Sequence, residues 1–182
     1  MDSIADYEFV QILGEGGHGS VWLARCPARL GVAVDYVAVK TLAHHASDAD
    51  FDRLTPELQR FMAVPSNHLA QLYDVGQQGG TIYIAGEYFP DGSLAQPARP
   101  YTRAGVLNAL VDAAEGVHAM HEMGLAHRAV KPGNILLDDR GGAKVADIGL
   151  THVLNPGQTI TGLDHLGSVE FLAPEVIQGR PA

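Results

Sequence analysis

The stretch YEFVQILGEGGHGSVWLARCPARLGVAVDYVAVKTL, residues 7–42, decides how this chain begins to fold. Residues 7–13 alternate loosely and run into a glycine cluster. The apolar run resumes at 21–24, and 36–42 is a further β-branched segment. Pro27 and Gly31 mark 26–35 as a loop. Two strands separated by a Gly-rich turn predict an antiparallel hairpin. Gly14, Gly16 and Gly19 spell G-x-G-x-x-G, followed by Val21. Glycine there lets backbone N–H groups approach phosphate oxygens closely, where a Cβ would intervene. On this motif alone a plain hairpin turn, a phosphate-covering flap and a dinucleotide site all stay open. The dinucleotide site requires a helix opening at the glycines, whereas Val21-Trp22-Leu23-Ala24 reads as a strand. Lys40 closes the next strand as V-A-V-K. It is an ordinary strand-end lysine by itself, and a phosphate contact if the loop holds a nucleotide.

Outward from this hairpin, Ser47 or Asp48 predicts the cap of a helix reaching Met62, with Leu54, Leu58 and Phe61 on one face. Pro56 interrupts that pattern, so the helix is expected to begin late, with Pro56 near its start. Strands are expected at 70–75 and 81–85 around a turn containing Gly76, Gly79 and Gly80. Residues 90–100 carry three prolines and a glycine and read as a linker. Thr102 predicts the cap of a long helix that stops at Gly124, with Val106, Leu110, Ala113, Val117 and His121 at helical spacing. Short strands follow at 135–137 and 143–146. The order is a β-rich half, a hinge, then a helix-led half, which is α+β with two lobes.

Composition narrows the function classes. The 182 residues are 46% hydrophobic and 18% charged, as expected of an ordered domain. The net charge of −9 is spread along the chain, which speaks against a nucleic-acid binder and for a solvated surface. Cys26 is the only cysteine, so no internal disulfide forms, and a reducing compartment fits. The N-terminal residues do not read as a signal peptide, and no apolar run approaches membrane-span length, so the expected location is cytoplasmic, with no membrane contact within this chain. His44-His45 and the i, i+3 pair His118 and His121 lack an evident third metal ligand.

Three more motifs complete a series. HRAVKPGN spans 127–134, DIG spans 147–149 and APE spans 173–175. With the glycine loop and V-A-V-K, their order and separations resemble the protein kinase superfamily, Ser/Thr type and bacterial-like, over essentially the whole chain. The resemblance implies a bilobal fold, with an N-lobe at 1–86, a hinge and linker at 87–100, and a partial C-lobe at 101–182. It implies an ATP site between the lobes. Gly14, Gly16 and Gly19 would cover the phosphates, Lys40 would contact them, and Glu57 would orient Lys40. Val21, Ala38 and Leu136 would sandwich the adenine, and the 87–89 hinge, from Glu87 to Phe89, would read its edge. Asn134 and Asp147 would hold Mg²⁺. Lys131 would touch the γ-phosphate and orient an acceptor hydroxyl. Phe61, Leu72, His127 and Ile148 would form a packing column, a role close to plain core packing.

Three departures from that pattern carry further expectations. Ala129 stands where the family has its catalytic Asp, and a methyl group can neither accept nor orient a proton. The chain is therefore expected to be a pseudokinase with weak or absent phosphotransfer, whether Ala129 is natural or a deliberate substitution. Two rivals are an active Ser/Thr kinase in inactivated or fragment form, and an interaction module that binds no nucleotide. The sequence stops soon after APE, which implies an incomplete C-lobe whose apolar surface is covered by self-association or by a protein substrate or signalling partner. Gly86, just before the hinge, is expected to open the back of the adenine pocket to bulky ligands. Thr159 and Thr161 read as loop hydroxyls open to phosphorylation, and Ser168 as a residue whose contact with the base is lost.

Overall fold

The computed structural model describes residues 2–16, 19–42, 47–148 and 169–178. Gly149, His44, His45, Thr159, Thr161 and Ser168 lie outside them. The chain divides into two compact units, Met1–Glu57 with Gln71–Tyr88, and Leu58–Ala70 with Phe89–Ala182.

The first unit is an antiparallel sheet. Its strands are β1 (Ser3–Ile4), β2 (Tyr7–Gly16), β3 (Gly19–Arg25), β4 (Tyr36–Leu42), β5 (Leu72–Gln78) and β6 (Thr81–Gly86), in the order β1-β2-β3-β4-β6-β5. The glycine loop thus joins two paired strands, Gly14 opposite Val21 and Gly16 opposite Gly19, and opens no helix. Alternation sets the core face. Val37 and Val39 are buried, while Ala38 and Lys40 point to the other side. Ile4, Tyr7, Ala24, Tyr83 and Ala85 pack with the two valines. Burial of these side chains is worth roughly 1.5–3 kcal/mol for each large one. A polar clamp closes the edge of this core. Arg29 donates to Asp6 at 2.8 Å and to Asp74 at 2.6 Å, and the Tyr7 hydroxyl donates to Asp74 at 2.7 Å. Burial, followed by the Asp74 contact, raises the Tyr7 phenol well above its usual range.

Helix α1 spans Asp48–Met62. It does not begin late. Ser47 and Asp50 form a reciprocal cap: the Ser47 hydroxyl accepts from the Asp50 N–H at 3.2 Å, and the Asp50 carboxylate accepts from the Ser47 N–H at 2.9 Å. Pro56 then sits inside the helix. That cap and the burial of Leu54, Leu58 and Phe61 outweigh the one backbone donor proline lacks.

The second unit is built on helix α2 (Arg103–Glu122) and a two-stranded ladder, β7 (Ile135–Leu137) with β8 (Ala143–Val145). Thr102 caps α2 through its hydroxyl, which accepts from the Gly105 N–H at 3.0 Å. Each outer edge of the ladder is covered. The Val145 N–H donates to the His68 carbonyl at 2.8 Å and the Ala70 N–H to the Val145 carbonyl at 2.9 Å. On the β7 side, the Leu94 N–H donates to the Ile135 carbonyl and the Leu137 N–H to the Gly92 carbonyl, both at 2.9 Å. The 90–100 stretch holds no helix or strand, yet it is bonded into this sheet. A short helix α3, Pro174–Ile177, begins within the APE motif.

The buried face of α2 shares Ala113 with the residues read at helical spacing, and Val106 and Val117 are half-buried, but the face is otherwise different. Ala109, Ala113, Gly116 and Met120 face inward, while Leu110 is 47% exposed and His121 is exposed. The inward face is chosen by closeness rather than by size. A Cβ at Gly116 would stand 2.5 Å from the His68 carbonyl oxygen, and the Asp112 carboxylate accepts from the Ala143 N–H at 2.9 Å. A helix that docks against backbone must present small residues there.

Gly116→Ala is therefore expected to destabilise the protein by about 1–3 kcal/mol in chemical denaturation. Gly133→Ala, whose added Cβ would meet only the Ala95 methyl at 4.0 Å, should stay within about 0.5 kcal/mol. Equal losses in the two variants would contradict the close-docking account.

Candidate functional site

Each unit gathers its own set of predicted residues. In the first unit, cross-strand register brings Gly14, Val21, Ala38 and Lys40 to one sheet face. Val21 pairs with Gly14 on one side and with Lys40 on the other, and Ala38 is two residues from Lys40 on the same strand. Lys40 and Ala38 are half-buried on the face opposite the Val37 and Val39 core. Gly16 and Gly19 continue the same hairpin, and Gly19 has φ +121°, which glycine adopts without strain. Glu57 lies half-buried on α1.

The surroundings of Gly86 differ from the expectation. The space behind Gly86 is not open within the first unit. A Cβ there would stand 2.8 Å from the Gln71 carbonyl oxygen and 3.1 Å from the Leu72 Cδ2 atom. The start of β5 fills it. The Glu87 N–H donates to that same Gln71 carbonyl at 2.8 Å, and the Glu87 carboxylate accepts from the Gln71 N–H at 3.1 Å. Glycine at 86 serves this close approach of two backbones.

In the second unit, the loop carrying HRAVKPGN is fixed by its backbone. The Asn134 side-chain N–H donates to the Ala129 carbonyl at 2.8 Å, and the Asn134 N–H donates to the Lys131 carbonyl at 2.9 Å. The Ala146 N–H donates to the Asn134 carbonyl at 2.9 Å, one step past the Ile135–Val145 pair. Asn134 and Asp147 therefore leave the ladder at the same end. Asn134 is buried, Asp147 is half-buried, and Leu136 lies on β7 between the buried Ile135 and Leu137. Lys131 is half-buried and immediately precedes the 3-10 turn Pro132–Asn134. Phe89 is buried, with the Lys144 ammonium 5.9 Å from its ring centre.

Two non-glycine residues of these motifs adopt positive φ, Arg128 and Asp147, both at +62°. Such backbone costs of order 1 kcal/mol or more and persists only where surrounding contacts impose it. His127, next to Arg128 in the chain, is 2% exposed. Its Nδ1 accepts from the Ala129 N–H at 3.3 Å, and its Nε2 has no hydrogen-bond partner among the described residues. Burial pushes its pKa down to about 4, against the pull of the Asp147 charge. The imidazole is neutral at physiological pH.

The donor chemistry fits a hard cation. Asn134 commits its amide nitrogen to the Ala129 carbonyl, its amide oxygen is an acceptor, and Asp147 adds a carboxylate. Magnesium takes one or two such oxygens with the remainder from phosphates and water. Among the described residues no group of three acidic, His or Cys side chains would hold a metal by itself.

Sequence reading missed two supports. Asp112 ties α2 to β8 and lies 3.6 Å from His68. Asp91 pairs with Arg99 across a turn whose Asp-Gly start, residues 91–92, is a recognisable turn sequence.

A family model described as "Protein kinase domain" matches residues 7–182. The serine/threonine-protein kinase PrkC of Bacillus subtilis is 32% identical over 183 residues, covering 95% of this chain and 27% of that protein. The serine/threonine-protein kinase drp72 of Corynebacterium efficiens is 33% identical over 188 residues, covering 96% of this chain and 35% of that protein. This chain spans about a quarter to a third of such curated relatives. The crystal structure of the Mycobacterium tuberculosis PknI kinase domain aligns with a TM-score of 0.68 at 24% identity, over 99% of this chain and 68% of that one, which speaks for the fold alone.

Because the His127 pKa falls from 6.5 to about 4 on folding, its contribution is complete above about pH 6.5. As the pH drops through that window the unfolded chain binds a proton that the native state resists. Stability is then expected to fall by up to about 1.4 kcal/mol per pH unit. Denaturation of wild type and His127→Phe between pH 7 and pH 4 checks this; the variant should show the shallower loss, and parallel curves would contradict it.

Proposed function

This chain belongs to the protein kinase family, Ser/Thr type, and from that premise we propose that it binds Mg·ATP as a pseudokinase and acts mainly through the nucleotide-bound conformation. In this reading Gly14, Gly16 and Gly19 cover the phosphates, Lys40 contacts them and Glu57 orients Lys40. Val21, Ala38 and Leu136 enclose the adenine, with the main chain from Glu87 to Phe89 against its edge. Asn134 and Asp147 hold the magnesium, which when bound neutralises phosphate charge. Lys131 lies toward the γ-phosphate. The observation that carries the proposal is the hydrogen bond from Asn134 to the Ala129 carbonyl. It uses the backbone of residue 129, so a lost carboxylate need not cost the loop its shape.

What Ala129 lacks is the group that accepts or orients the proton of an attacking hydroxyl. Such groups are typically worth ~10²–10⁴-fold in rate. The active-kinase reading is favoured by the same intact backbone, because an aspartate returned to position 129 would enter an already formed loop. A protein substrate or signalling partner, self-association through the apolar surface of the second unit, and a cytoplasmic location complete the proposal. Leu107, Leu110 and Val111 supply exposed apolar surface on α2. Among the described residues no helix is long and apolar enough to cross a membrane.

Mg·ATP at ~100 times its Kd is expected to stabilise the chain by ~2.7 kcal/mol in a thermal shift assay. Lys40→Ala and Asp147→Asn should each remove most of that gain. A folded sample with no shift at millimolar Mg·ATP would favour the interaction-module reading instead. Ala129→Asp should raise transfer of the γ-phosphate to a Ser/Thr peptide by ~10²-fold or more over the parent chain. No rise, with Mg·ATP binding intact, would count against loss of the base as the reason for low activity.

A further inference from the structure

The stretch from Asp91 to Arg99 is more than a connection. Its neck is closed by the Asp91–Arg99 ion pair and by the Ala98 N–H, which donates to the Asp91 carbonyl at 3.0 Å. Inside the neck the Ser93 N–H donates to the Gln96 carbonyl at 3.3 Å and the Gln96 N–H to the Ser93 carbonyl at 3.1 Å. Gly92 has φ +77°, and a Cβ there would collide with the Gln96 carbonyl, so only glycine fits. The result is a compact nine-residue strap.

The strap bonds outward at the residues that bracket Asn134. The Ala95 N–H donates to the Pro132 carbonyl at 3.2 Å, and the Leu94 N–H donates to the Ile135 carbonyl at 2.9 Å. Asn134 lies between those two carbonyls, and its own contacts run to Lys131, Ala129 and Ala146. Every main-chain anchor on the 132–135 segment from outside its own loop and ladder thus comes from the strap, among the described residues.

We propose that the Asp91–Arg99 strap is a positioning element that sets Asn134, and with it the metal-phosphate end of the site, more strongly than the adenosine part, to which it is tied through the Gly92 N–H on the Phe89 carbonyl at 3.2 Å. Gly92, Leu94 and Ala95 are positioning residues; none of them touches nucleotide in this scheme. The inference rests on the Mg·ATP reading above for its ligand, and on backbone geometry alone for its mechanical half.

Two measurements on the full chain separate these halves. In the unliganded protein, Gly92→Ala is expected to speed hydrogen exchange at the Asn134 and Ile135 amides by about tenfold, with α2 amides changed less than about threefold. Arg99→Ala, at an ion pair whose arginine is 60% exposed, should fold normally and give a smaller change in the same direction, restored by Arg99→Lys. Unchanged exchange at those amides in both variants overturns the proposal. The second measurement is calorimetry with Mg·ATP and with adenosine. Gly92→Ala should weaken Mg·ATP by about tenfold and adenosine by less than about twofold. Equal weakening of the two ligands overturns the selective role. If wild type binds neither, the nucleotide reading fails, and hydrogen exchange still decides whether the strap positions the loop. If Gly92→Ala does not fold, Leu94→Pro, which removes the N–H to the Ile135 carbonyl, takes its place in both measurements.

Discussion

The second unit depends on a ladder of only three residue pairs, Ile135–Leu137 against Ala143–Val145. A two-stranded ribbon of that length is not stable in water by itself. It persists here because both outer edges are bonded, one to the segment after α1 and the other to the 91–99 strap, and because α2 packs on it. The residues with chemical potential, Asn134 and Asp147, leave the ladder together at one end. Their proximity follows from strand pairing, which is determined by register and needs no contact between the side chains themselves.

The same economy explains how Ala129 sits in an otherwise ordered loop. The contacts that shape residues 127–134 use the residue 129 main chain, its N–H toward His127 and its carbonyl toward Asn134. A side chain can be removed from such a position without leaving a buried group unsatisfied. Chemistry and scaffold are therefore separable at this residue. At Arg128 and Asp147 they are not, since both carry positive φ and hold the backbone in a conformation that a β-branched replacement would resist.

Much of this was legible in the sequence. The hairpin around the glycines followed from a strand pattern on each side, and the α2 start followed from Thr102, a local capping signal. The misreadings share a cause. Pro56 suggested a late helix start, but the Ser47–Asp50 cap and three buried apolar residues prevailed over one missing donor. Helical spacing picked out Ala113, which is buried, but also Leu110 and His121, which are exposed, whereas the helix docks through Gly116 against a backbone carbonyl. Hydrophobic patterning reports which side chains avoid water. It does not report where two backbones meet, and at Gly86 and Gly116 that meeting decides the packing. Ion pairs such as Arg29 with Asp6 and Asp74 join residues 23 and 45 positions apart, beyond the reach of any local pattern.

The tight fit behind Gly86 imposes an order on change. A bulkier residue can arrive at that position only after the main chain of residue 71 has drawn back, and it is held by the bonds of Glu87. Variation of the side chains at 71 and 72 leaves that carbonyl in place, so glycine is retained at 86 for as long as Glu87 keeps its two bonds to residue 71.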